Sequence, residues 1–168
     1  MFIISQMIRF IASVLGIAAD ADLNKKRMYI LNGIGNALTA ISYFMINAIT
    51  GGIGSTISVL RNIYVYFSNK RPSTIVAIIY SIIVIAISIP EINGIVSIIP
   101  IVIVLLYSWA LFSDSMKLIK LSIIIVDILG ILYDFYVGAP VGVVANALSL
   151  ILTVISEIKY FKKNEEFF

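Results

Sequence analysis

The chain has 168 residues, 61% hydrophobic and 12% charged, with a formal net charge of +3, a mean hydropathy of +1.08 and a pI near 9.1. Soluble domains carry roughly 45 to 50% apolar residues, so a chain this short and this apolar cannot hide its surface in one core, and an ordinary soluble domain is excluded. With Cys 0 and His 0 there is no thiolate nucleophile, disulfide or sulfur metal site, and the usual general base and commonest metal ligand are missing. No catalytic residue, metal or cofactor is therefore expected, and the basic balance reads as a topology signal rather than as a nucleic-acid footprint.

The first apolar run, Phe2 to Ala19, is interrupted by Gln6 and Arg9 and is followed by Ala18-Ala19-Asp20-Ala21. A cleaved signal peptide would need a positively charged n-region, which this run lacks; it reads as a first span. After the connection ending in Lys25-Lys26-Arg27, Met28 to Ile49 forms a second span. Its Asn32, Asn36, Thr39 and Ser42 fall on one helical face. Thr50-Gly51-Gly52-Ile53-Gly54 reads as a glycine turn, and a third span carrying Arg61 and Asn62 runs to Phe67. A basic loop, Asn69-Lys70-Arg71-Pro72, precedes a fourth span of almost pure Ile, Val and Ala from Thr74 to Ile89. Beyond Pro90 to Gly94, the fifth span reaches Phe112 with Pro100 inside it and Trp109 near its end. Lys117 to Tyr133 makes a sixth span with Asp127 near its middle, and Val141 to Ile158 a seventh with Asn146. A charged tail, Lys159 to Phe168, closes the sequence.

Seven spans put Lys25, Lys26, Arg27, Lys70, Arg71, Lys117, Lys120, Lys159, Lys162 and Lys163 on one side and no basic connection on the other. Short basic loops mark the cytoplasmic side. The N-terminus is then expected outside and the C-terminus inside.

A displacement of about 88 residues lays Thr50 to Gly54 on Gly138 to Gly142 and Ser58 on Asn146. The expected fold is an all-α membrane protein of seven transmembrane helices. Two parallel triple-helix-bundle repeats, residues 1–68 and 94–168, are joined by a linker helix in 69–93. Parallel repeats of this kind place solute sites between the halves near the midplane.

Trp109-Ala110-Leu111-Phe112, then Tyr133-Asp134-Phe135 leading to Gly138, and Tyr43-Phe44 leading through Gly52 to Arg61, resemble the pattern of the YgjV family of bacterial inner membrane proteins. The resemblance covers nearly the whole chain. It implies kinship with PQ-loop, SWEET and PnuC-like transporters and names no substrate. PQ-loop relatives carry a Pro-Gln pair in the first helix of each unit; here Gln6 has no proline and Pro100 is followed by Ile101.

An arginine within an apolar span costs roughly 2.5 to 3.5 kcal/mol on insertion scales and needs a partner, a wet cavity or an escape to the interface. At ~1.5 Å per residue, Asn36, Arg61, Asp127 and Asn146 share a middle layer. They are the candidate solute ligands, together with Trp109 as a stacking surface, and Asp127 is expected to offset Arg61 or Arg9. Against this stand helix-gluing roles for the asparagines, snorkelling for Arg61 and an aromatic-belt role for Trp109. Pro100, Gly51 and Gly138 are candidate hinges. The expected function is a facilitator or proton-linked carrier of a small polar solute, monomeric or homo-oligomeric, with membrane lipid around it; the alternative is a non-transporting scaffold that binds a protein partner or lipid.

Overall fold

The computed structural model describes residues 1–21, 24–68, 74–92, 94–112 and 116–165. These residues form seven α-helices and no strand: α1 Phe2–Ala21, α2 Lys25–Met45, α3 Ile49–Phe67, α4 Thr74–Ser88, α5 Ile99–Phe112, α6 Met116–Tyr136 and α7 Pro140–Glu165, with short 3-10 turns at Ile89–Glu91 and Ile95–Ile98. The β-branched runs stay helical because helix satisfies every backbone N–H and C=O within its own segment. Phe2–Ala19 and Ile95–Phe112 are long and apolar enough to cross a membrane, and Ile75–Glu91 and Pro140–Ile155 are shorter apolar stretches.

Side chains are distributed inside out relative to a water-soluble bundle. Phe2, Ile3, Leu60, Ile75, Ile82 and Phe135 are exposed, whereas Arg9, Ser42, Arg61, Asn62, Asp127 and Asp134 are buried. An apolar exterior over a polar interior suits a protein whose solvent is hydrocarbon.

Helix boundaries recur at a fixed interval. α1 ends at 21 and α5 at 112; α2 spans 25–45 and α6 spans 116–136; α3 starts at 49 and α7 at 140, each pair 91 residues apart. The neighbours match too: α2 packs on α1 and α3, α6 packs on α5 and α7, and the ring closes through α1 with α7 and α3 with α5. α4 packs outside this ring against α3 and α5.

The turns explain the interval. After α2, the Ala48 N–H donates to the Tyr43 carbonyl at 3.0 Å and the Asn47 N–H to that of Phe44 at 3.2 Å. After α6, Ala139 donates to Asp134 at 2.8 Å and Gly138 to Phe135 at 3.4 Å. Both are Schellman closures, which need a left-handed residue just past the helix. Asn47 at φ 58° and Gly138 at φ 71° supply it.

Several sequence expectations shift accordingly. The stretch Thr50 to Gly54 is not the turn: it lies in the first turns of α3, and the chain reverses at Ile46 to Ala48. Its glycines serve close packing, since a Cβ at Gly51 would stand 2.8 Å from the Tyr133 ring. The register is 91 rather than about 88, which lays Gly51 on Gly142, Ser55 on Asn146 and Ser58 on Ser149. Asp134 and Phe135 also belong to α6, which runs to Tyr136 where the sixth span was expected to end at Tyr133. Pro100 is the second residue of α5, directly after a 3-10 turn. There its missing N–H removes no bond within α5, and it stands at the junction between the 3-10 turn and α5, inside the apolar stretch Ile95–Phe112. The Asn69 to Pro72 loop, Ser113 to Ser115 and Asn93 lie outside the described residues, as do the side chains of the tail.

Candidate functional site

Arg9 reaches from α1 into the middle of the ring and meets Asp134 of α6. Its Nη2 donates to Asp134 Oδ2 at 2.8 Å and Oδ1 at 3.1 Å, and to the Tyr43 hydroxyl at 2.7 Å. Tyr43 in turn donates to Asp134 Oδ1 at 2.6 Å, and Asn146 Nδ2 donates to Oδ2 at 2.9 Å. Asp134 is 0% exposed, and each of its oxygens accepts two bonds. A buried carboxylate is tolerated when paired and saturated in this way. The Arg9 guanidinium also lies 4.3 Å from the Tyr43 ring centroid.

This network ties α1, α2, α6 and α7 together near one end of the bundle, because Tyr43 and Asp134 each lie two residues from the end of their helix. Neighbouring contacts close the same end. The Tyr133 hydroxyl accepts from the Gly51 N–H at 3.0 Å and bonds Thr50 Oγ1 at 3.1 Å, and the Tyr43 and Tyr133 rings meet edge to face at 5.5 Å. The Val141 N–H donates to Gln6 Oε1 at 3.3 Å. At the opposite end the closure is apolar: Ala19, Met28, Ala110, Leu111, Ile119 and Ile123 form one buried cluster.

Two cavities of about 190 and 130 Å³ adjoin this network. Both are lined by Arg9, Asn36, Thr39 and Asn146. The larger adds Ser55, Ser58, Pro100, Gly130 and Tyr133, drawing on α3, α5 and α6. The smaller adds Asn32, Asp127 and Ser149. Asn36 and Asp127 are each the twelfth residue of helices 91 residues apart. Among the described residues, the buried Arg9 Nη1 has no hydrogen-bond partner and Asn36 makes no hydrogen bond. Gly130 makes room for the amide of Asn146, since a Cβ there would stand 2.6 Å from Nδ2.

The structure thus gathers Asn36, Asp127 and Asn146 around shared space and leaves Arg61 and Trp109 elsewhere. Arg61 is 2% exposed, so it does not snorkel to an interface. Its Nη1 donates to Ser108 at 3.1 Å and its guanidinium lies 4.9 Å from the Tyr107 ring centroid. Trp109 is half-exposed on the outer surface and donates from Nε1 to Ser81 of α4 at 3.0 Å. Gly51 packs inside α3 and Gly138 forms the left-handed turn before α7. The carboxylate beside Arg9 is Asp134, where Asp127 had been expected. The 91-residue register could have found it, because it sets Asp134 opposite Tyr43.

A family described as "Bacterial inner membrane protein" (Imp-YgjV) matches residues 3–164, nearly the full length. The chain belongs to this family. In a bacterial inner membrane protein, exposed Ile, Leu and Phe faces suit a lipid-facing surface, and the Arg9–Asp134 ion pair is buried inside the helical ring. Such groups in membrane segments face the bundle interior or a water-filled cavity and mark solute pathways and proton relays. No curated protein and no solved structure matches the chain.

Proposed function

We propose that this protein carries a small polar solute across the bacterial inner membrane. In this reading seven helices span the bilayer as two parallel three-helix units, within residues 1–68 and 94–168, with α4 as linker in 69–93. The N-terminus faces outward and the basic connections face the cytoplasm. The solute sits between the units, against Asn36, Asp127 and Asn146, with Arg9 Nη1 offering a further donor. The observation that carries the reading is that polar residues of both halves converge on internal space: Asn36 and Asp127 occupy corresponding positions, as do Ser55 and Asn146. Lining a cavity with costly polar groups is the economy of a transporter rather than of a lipid-filled bundle. The Arg9–Tyr43–Asp134 network closes the outer end and the Ala19–Met28–Leu111 cluster the cytoplasmic end, so alternating access requires each to part in turn.

A thermal-shift screen of the detergent-purified protein against sugars, nucleosides, vitamins and small organic ions tests this. A ligand at about one hundred times its Kd stabilises by roughly 2.7 kcal/mol. A hit that disappears in Asp127→Asn, followed by uptake into proteoliposomes, is the expected outcome. A protein that assembles, binds none of these and shows no uptake is the scaffold instead.

A further inference from the structure

Among the described residues, the second buried arginine has no counterpart to Asp134. Arg61 is 2% exposed and, among the described residues, no carboxylate reaches it; Ser108 and the adjacent Asn62, at 3.5 Å, are its hydrogen-bond acceptors. Its Nε is buried and, among the described residues, has no hydrogen-bond partner. An uncompensated cation in low dielectric requires an anion. Arg61 also lines a groove of about 280 Å³ between α3 and α4, otherwise walled by apolar and aromatic side chains including Ile57, Leu60, Tyr64, Ile79 and Ile83. Leu60, Ile79 and Ile83 are exposed, so the groove opens on the lipid-facing surface rather than on the central cavities.

Position narrows the ligand. Arg61 lies six residues before the end of α3, about 9 Å along the axis, at the end that leads into the Lys70-Arg71 connection. Residue 152, which corresponds to Arg61 at the 91-residue interval, is Leu152, half-exposed on α7. The arginine is thus a feature of the α3–α4 side alone and not of the paired cavity.

We propose that the α3–α4 groove binds one anionic phospholipid of the cytoplasmic leaflet, with its headgroup phosphate accepting hydrogen bonds from Arg61 and an acyl chain lying along Leu60, Ile79 and Ile83. Basic pockets between membrane helices recognise acidic headgroups in this way. The bound lipid supplies the counter-ion that the described residues do not provide and cements α4 to the helical ring.

The test uses the full chain, purified in neutral detergent and delipidated, with dioleoyl phosphatidylglycerol, dioleoyl phosphatidylcholine and oleate as separate probes. Native mass spectrometry reads occupancy and a thermal melt reads stabilisation. The wild type is expected to retain phosphatidylglycerol over phosphatidylcholine by about fivefold or more, the factor one basic residue contributes near an anionic surface, and to melt higher with it. Arg61→Gln should erase the preference. Ile83→Trp, which fills the groove and keeps Arg61, should lower phosphatidylglycerol occupancy, so the test survives failure of either variant to assemble. Equal retention of the two phospholipids by the wild type overturns the proposal, as does a preference unchanged in Arg61→Gln or in Ile83→Trp. Retention of oleate without phosphatidylglycerol overturns it in favour of a monoacyl anion.

Discussion

Tyr43 and Asp134 lie 91 residues apart and share a hydrogen bond of 2.6 Å, so corresponding positions of two similarly built helical hairpins touch each other. Contact between equivalents is what a two-fold relation along the bundle axis produces. The contact is nevertheless asymmetric in chemistry, phenol against carboxylate, and Arg9 completes it where the corresponding residue of α5 is Pro100.

Tyr43→Phe isolates the hydroxyl in that contact. The ring stays over Arg9 and edge-on to Tyr133, while bonds to Asp134 and Arg9 are lost. Hydrogen bonds to charged groups contribute about 1.5 to 3 kcal/mol. The variant should therefore assemble and melt measurably lower in detergent, with Tyr43→Ala lower still. An unchanged melt would show that the hydroxyl exchanges its partners for water at no cost.

Arg9 and Asp134 should behave as a coupled pair. Removing either alone strands a buried charge and is expected to cost about 3 to 5 kcal/mol. The double change Arg9→Met with Asp134→Leu removes both charges and should lie closer to wild type than Asp134→Leu alone. A double-mutant cycle on melting curves measures this coupling. Additive losses would mean that each residue is held by other partners.

Two glycines separate close packing from tolerance. A Cβ at Gly142 would run into the Asp134 carboxylate, which is fully buried and held by three residues. A Cβ at Gly52 would meet the ring of Phe44, which is half-exposed and free to swing aside. Gly142→Ala should lower stability by about 1 to 3 kcal/mol, whereas Gly52→Ala should lie near wild type or above it, helped by the better helix propensity of alanine. Comparison of the two melts checks the ranking, and the reverse order would contradict it.

Much of the fold was readable because each helix announces itself by apolar length and by polar breaks. The recurrence of similar helix boundaries was hinted at by the glycines. Its register was not, because Asn47 and Gly138 make the same left-handed turn with different side chains, and matching glycine to glycine slides the halves by about three residues. In the candidate site, Asn36, Asp127 and Asn146 were legible as polar residues in costly positions. Asp134 was hidden by its place near a helix end, where a carboxylate reads as solvated. Its partner Arg9 is 125 residues away, and no local periodicity reports a contact across that distance. Arg61 looked like a member of the same middle layer because depth along a helix is legible and direction around the bundle is not.

Asn36 and Asn146 offer a contrast within the cavity itself. Asn146 donates to Asp134 at 2.9 Å and so has a structural duty, whereas Asn36 has no hydrogen bond to a described residue and lines both cavities. Asn146→Ala should therefore lower the melt by about 1.5 to 3 kcal/mol, the range for bonds to charged groups. Asn36→Ala should change it by no more than about 0.5 kcal/mol. If Asn36 is a solute ligand, its removal weakens solute-induced stabilisation and uptake while assembly is intact, a signature that helix glue does not produce. Should Asn36→Ala instead melt as low as Asn146→Ala, with uptake falling only in proportion to folded protein, Asn36 holds helices together and the solute contact lies elsewhere in the cavity.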